Sequence, residues 1–287
     1  MEIRKLKIIA KASMLHKLKN ISLTILKKIG NVQAWPSVQP IFWKALTFTL
    51  FFLILEVEQF PVLLVIIFVI VAFILYAKPL FKTRSLLVSF VVLIPLSLLV
   101  ASRFAISFEP AGLPTTISFS AWAFALLFGL LFYIMLGIKY LVFIRRKEAY
   151  HFLHLALFYL AFVLYFSATP THIASVIGHS LIMIIFTLLM LREFFSIVSI
   201  TDQSQANTAR IARWVLVLLI LQALWVINLL PIEFSNAASL ATLFAFIIIE
   251  ITRRYFENGL SARFLRWNFL VFITLTGLIF LTSQWTL

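Results

Sequence analysis

Cysteine is absent from the 287 residues, and with it go disulfides, thiolate metal sites, iron–sulfur clusters and cysteine nucleophiles. Aspartate occurs once, at Asp202, which removes the paired-aspartate intramembrane proteases and leaves little for two-metal chemistry. No Gly-x-Ser-x-Gly elbow and no glycine-rich phosphate loop is present, and no cofactor is expected. Glycine numbers seven, with Gly129, Gly137, Gly178 and Gly277 inside apolar runs and no Gly-x-x-x-Gly among them. Secondary transporters rely on small residues for close helix packing and on broken helices at mid-membrane. No pair of interrupted apolar runs is visible here, and no charge stands at mid-depth of any run.

What the chain has is apolar surface. Hydrophobic residues make up 63% of it and charged residues 12%, with 31 phenylalanines and a mean hydropathy of +1.09. A soluble domain carries about 45–50% apolar and about 25% charged residues. The composition therefore predicts an all-α, polytopic membrane bundle. A membrane helix needs about 20 apolar residues. Nine runs come close to that length, at about 41–57, 61–77, 85–102, 119–144, 150–167, 172–191, 211–230, 236–252 and 266–285. The first two are short and form either two spans or one re-entrant hairpin, which would leave seven full crossings. Pro95 lies inside the third run and calls for a kink or for a neighbour that satisfies the freed carbonyl.

The net charge of +14 is distributed by loop. Alternate connections carry Lys78, Lys82 and Arg84; Arg145, Arg146 and Lys147; Arg192, Arg210 and Arg213; and Arg253, Arg254, Arg263 and Arg266. The other set carries Glu56, Glu58, Glu109 and Glu233, with Arg103 as its one basic residue. Under the positive-inside rule this places the N-terminus in the cytoplasm and the C-terminus outside, in a plasma membrane. Residues 1–40 then form a basic cytoplasmic segment, and 41–287 the membrane domain. Within that segment Met14, Leu18, Ile21, Ile25 and Ile29 make one helical stripe, with Lys17, Lys19, Lys27 and Lys28 mostly opposite. This is the pattern of an interfacial helix on an anionic leaflet. With Arg145, Arg146, Arg253 and Arg254 it offers a docking face for anionic lipid or for a protein partner. Basic loops beside membrane spans speak for orientation and not for nucleic acid.

Histidine invites a metal reading and the spacing answers it. Glu148, His151 and His154 share one helix face at the start of the fifth run. His172 and His179 start the sixth run from the other side, which leaves His154 and His179 roughly 10 Å apart along the membrane normal. Bonds from metal to nitrogen are about 2 Å, so these are two separate pairs. A di-iron bundle would need the Glu-x-x-His pattern twice. The expectation is a polar interfacial cluster of Glu148, His151 and His154, with Glu148 paired to a nearby arginine and no metal. Glu250 is expected to pair with Arg253 and Arg254 at i+3 and i+4, and Lys139 to snorkel toward the interface.

Gln222, Asn228 and His179 are the polar residues that a path through the membrane would use. The outer connection 102–122 is rich in aromatic residues and broken by Pro110 and Pro114, which suits a segment lying at the headgroups. The pairs 119–167 and 236–285, each with an Arg-Arg at the inner end of its first run, hint at a parallel repeat. The function expected from these residues is that of a non-catalytic membrane subunit or assembly partner. A permease or lipid-handling transporter is the alternative, and an enzyme acting on lipid-linked substrates comes third.

Overall fold

The structure is a computed structural model and describes residues 35–77, 86–105, 119–140, 142–143, 145–168, 173–197, 203–257 and 259–283. Lys17, Lys19, Lys27 and Lys28, the loop 106–118, His172 and Asp202 lie outside the described residues. Among the described residues there are nine α-helices and no strand. They are α1 (Trp35–Val57), α2 (Val62–Ala77), α3 (Leu87–Ala105), α4 (Phe119–Lys139), α5 (Arg146–Ser167), α6 (Ile173–Ile197), α7 (Gln203–Asn228), α8 (Phe234–Glu257) and α9 (Ala262–Thr282). Eight are long and apolar enough to cross a membrane, and α2, with 16 residues, is the short one. The protein is thus a multi-pass helical bundle of membrane character.

Side chains fix the direction of each helix. Phe48 and Phe52 of α1 meet Phe132 and Phe128 of α4 in that order, so the two run antiparallel over matching depth. The turn between α1 and α2 is tight, with Gln59 and Phe60 both in left-handed backbone. Tyr76 at the end of α2 stacks on Phe90 near the start of α3. Phe195 of α6 meets Phe256 of α8, and at the far end Arg103 of α3 donates to the Ser167 carbonyl of α5. One end of the bundle therefore collects the end of α2, the starts of α3, α5, α7 and α9, and the ends of α4, α6 and α8. It also collects most of the arginines, and we refer to it as the basic end.

Packing is closest between α1 and α4 and between α5 and α8, with α3 in contact with α4, α5 and α6. Gly129 explains the first contact, because a Cβ there would fall 1.9 Å from Thr49 Oγ1. Around that point the rings of Phe48, Phe52, Phe68, Phe128 and Phe132 close the interior, all almost wholly buried. A second aromatic group, Phe158, Phe162, Phe186 and Phe194, fills the space between α5 and α6. Apolar side chains also cover the outside, as helices facing lipid require. Pro95 is accommodated without interrupting α3.

Several boundaries differ from the apolar runs, four of them instructively. α1 begins at Trp35, α6 continues to Ile197 and α7 begins at Gln203, because polar turns beyond the hydrocarbon remain helical. α4 instead stops at Lys139, although the next residues are apolar. Gly137 is the reason: Phe143 folds back over it, so close that a Cβ would lie 2.3 Å from the ring. Val142 N–H bonds to the Gly137 carbonyl and Arg146 Nε to that of Ile138, which satisfies the end of the helix. α9 stands apart from the rest. None of its 21 residues is buried, and it packs mainly against α8.

Candidate functional site

The basic end holds most of the buried polar groups that join different helices. α3 starts at Leu87 behind Leu86, which has φ +61° and no side-chain oxygen to cap the helix. The acceptor comes from α6 instead. The Glu193 carboxyl, 6% exposed, takes hydrogen bonds from the Ser89 N–H at 3.1 Å and from the Ser89 hydroxyl. An acid at a first turn also complements the helix dipole. The sequence reading ended this run at 191 and gave Glu193 no role. It was nevertheless legible, since Glu193 continues the buried stripe of Phe186 and Met190 at i+7 and i+3.

Lys139 does the converse, and the snorkelling expectation is corrected. It is 1% exposed, turned into the bundle, and donates to the Tyr76 carbonyl with its ammonium 3.9 Å from the centre of the Tyr76 ring. α2 measures about 24 Å at 1.5 Å per residue, shorter than a hydrocarbon core of about 30 Å. Its last carbonyls therefore fall in apolar surroundings and need an internal donor. Lys44 beside it donates to the Tyr140 hydroxyl at 2.5 Å. Glu193 and Lys139 thus each complete the end of a helix other than their own.

The remaining cluster lies between α5 and α8. Arg253 donates to Glu250 at 2.5 Å and faces His151 Nε2 at 3.2 Å. Arginine carries only donors, so His151 Nε2 accepts and its proton sits on Nδ1. Arg254 stands 3.8 Å from the same carboxylate, as expected for i+4. His154 is 4% exposed, wedged among the rings of Tyr150, Phe158 and Phe194. Neither of its ring nitrogens has a hydrogen-bond partner among the described residues. His151, His154 and Glu250 line a recess of ≈ 20 Å³, walled by Phe158, Ala245 and Ile249. That is room for about one water molecule.

The expected polar cluster is therefore changed in one member. Glu148 is exposed and paired with Arg145 at 3.3 Å, and the acid beside the histidines is Glu250 from another helix. Among the described residues no three His, Asp or Glu side chains gather as metal ligands. His179 stands on α6 fifteen residues before Phe194, about 22 Å along the helix, at the opposite end from His154. Gln222 and Asn228 lie on the exposed face of α7. Between them on that helix Trp225 donates to Ser180 of α6 at 3.2 Å, a cross-helix bond that the sequence did not indicate. Glu56, expected in an outer connection, is buried at the end of α1, where it continues the stripe of Ala45, Phe48 and Phe52.

No family model, curated protein or solved structure matches the chain. The chemistry must be argued from the geometry alone. Glu193 and Ser89 are engaged with each other and shut off from solvent, and the His154 recess admits nothing larger than about one water. A small polar molecule or a proton fits this arrangement, and a lipid-linked sugar or a peptide does not.

Proposed function

We propose that the protein is a non-catalytic subunit of a membrane assembly, held to a second membrane protein through α9. The observation that carries this is the exposure of α9, a 21-residue apolar helix with no buried residue, which meets the core of the other eight helices only through half-buried side chains such as Ile279 and Phe280. Lipid is as apolar as leucine, so a membrane helix gains its place by close packing. α9 obtains little of that from its own chain. In this reading the basic end faces the cytoplasm, where Arg145, Arg146, Arg253, Arg254 and the N-terminal lysines meet anionic lipid. The permease reading draws less support, since Gln222 and Asn228 face outward and aromatic rings close the interior. The enzyme reading draws less support too, since among the described residues no Ser, Thr or Lys joins His151, His154 and Glu250 in the lining of the recess.

Native mass spectra of the protein ejected from its own membrane test the proposal. A stoichiometric second-protein mass is expected. It should be lost when Leu270, Leu278 and Leu281 of α9 are changed to alanine, and retained when Leu218 and Val226 on the exposed side of α7 are changed. A bare chain, or a partner equally sensitive to the α7 changes, would sink it.

A further inference from the structure

A lateral groove of ≈ 460 Å³ runs between α8 and α9, within the range of about 300–1,000 Å³ common to small-ligand sites. Its walls are almost wholly apolar, with Phe244, Ile248 and Ile251 on α8 facing Phe269 and Phe272 on α9, and Arg266 at one end. From Leu265 to Phe272 it spans eight residues, about 10 Å along α9. Three further features gather at the Arg266 end. Arg254 lies over the Phe264 ring at 5.1 Å, Arg263 stands one turn before Arg266, and α9 begins there with its positive dipole end, capped by Ser261. Among the described residues neither Arg263 nor Arg266 pairs with a carboxylate.

We propose that this groove binds one anionic phospholipid, an acyl chain along Phe244, Ile248 and Phe269 and the phosphate at Arg263 and Arg266. Apolar and cationic groups follow one another along a single axis, as the tail and phosphate of a lipid do. An apolar trough that opens sideways suits a lipid tail, and guanidinium groups without a carboxylate partner among the described residues, at its interfacial end, suit a lipid phosphate. A second transmembrane helix would find the trough apolar enough but would leave the two arginines without counter-charge. Leu265, Phe269 and Phe272 lie on another side of α9 from Leu270 and Leu278, so the trough for the acyl chain stands whether or not α9 docks a partner, while Arg263 shares the face of Leu270 at i+7.

The test uses the purified full-length chain in a neutral detergent, titrated with phosphatidylglycerol or with phosphatidylcholine of the same acyl chains, and read by native mass spectrometry. One phosphatidylglycerol is expected to be retained in preference. Arg263→Gln with Arg266→Gln should reduce that preference about thirtyfold, from the attraction of each basic residue to anionic lipid. Ile248→Trp, which fills the trough, should weaken binding of both lipids. Leu265→Trp, on the more exposed wall, repeats the test should the first variant not fold. Equal retention of the two lipids overturns the proposal, as does a preference that survives the arginine changes. Adducts undiminished by the tryptophan would place the lipid elsewhere and overturn it too.

Discussion

Removing the Glu193 side chain is the sharpest probe of how the basic end is held together. Glu193→Ala strands the Ser89 N–H in the first turn of α3, with no capping side chain of its own to replace the lost acceptor. An unsatisfied buried donor costs about 1–3 kcal/mol, and the lost interaction with the helix dipole adds up to about 2 kcal/mol. Relief from holding a carboxyl away from water offsets part of this. The net loss expected is about 2–4 kcal/mol. Glu193→Gln keeps an oxygen at the same reach and should stay within about 1 kcal/mol of the parent. The assay is equilibrium unfolding in a fixed lipid–detergent mixture, followed by the fluorescence of the seven tryptophans. Ser89→Ala should couple to Glu193→Ala by about 0.5–3 kcal/mol in a double-mutant cycle. An alanine variant as stable as the parent would refute the capping argument. So would a glutamine variant that falls as far as alanine, because charge rather than the hydrogen bond would then be the effect.

Other outcomes follow from single contacts. Gly129→Ala drives a methyl into Thr49 and should cost about 1–3 kcal/mol in the same assay, with part recovered by adding Thr49→Ala; an unaffected Gly129→Ala would mean that α1 and α4 are not in close contact. Gly137→Ala should push Phe143 off the end of α4 and speed tryptic cleavage at Arg145, Arg146 or Lys147, and unchanged cleavage would contradict the folded-back end. His154→Leu should leave stability within about 1 kcal/mol, whereas His154→Ala should cost about 2–4 kcal/mol through the cavity it opens. A leucine variant as unstable as alanine would mean that the imidazole nitrogens, and not the ring volume, hold the site.

The helices were legible because an apolar run of fixed length has few alternatives, but a run records hydrocarbon depth and not helix length. That is why α6 and α7 extend past their runs while α4 ends before its own. The last case depended on Gly137 admitting a ring from Phe143, a contact that composition does not reveal. The local ion pairs were equally legible, since Arg253 and Arg254 follow Glu250 at helical spacing. What the sequence could not give was partnership across 102 residues between His151 and Arg253, or across 104 between Ser89 and Glu193. Glu193 and Glu56 sit in register with buried stripes, so helical phase could have found both. Placing Glu56 in a connection and ending the sixth run at 191 concealed them.

The distribution of these polar groups also bears on what passes through the bundle. A transport path needs polar side chains that face a shared space and can exchange partners during the cycle. Here Glu193 and Lys139 are each committed to the end of another helix, and displacing either would take a hydrogen bond from its backbone groups in an apolar setting. The phenylalanines act in the same direction. Stacked rings such as Phe48 on Phe132, 4.3 Å apart, hold α1 and α4 in a single register, with Gly129 leaving no slack beneath them. The least enclosed helix is α9, none of whose residues is buried. Eight helices built this way share one closely packed core, and α9 lies at its edge.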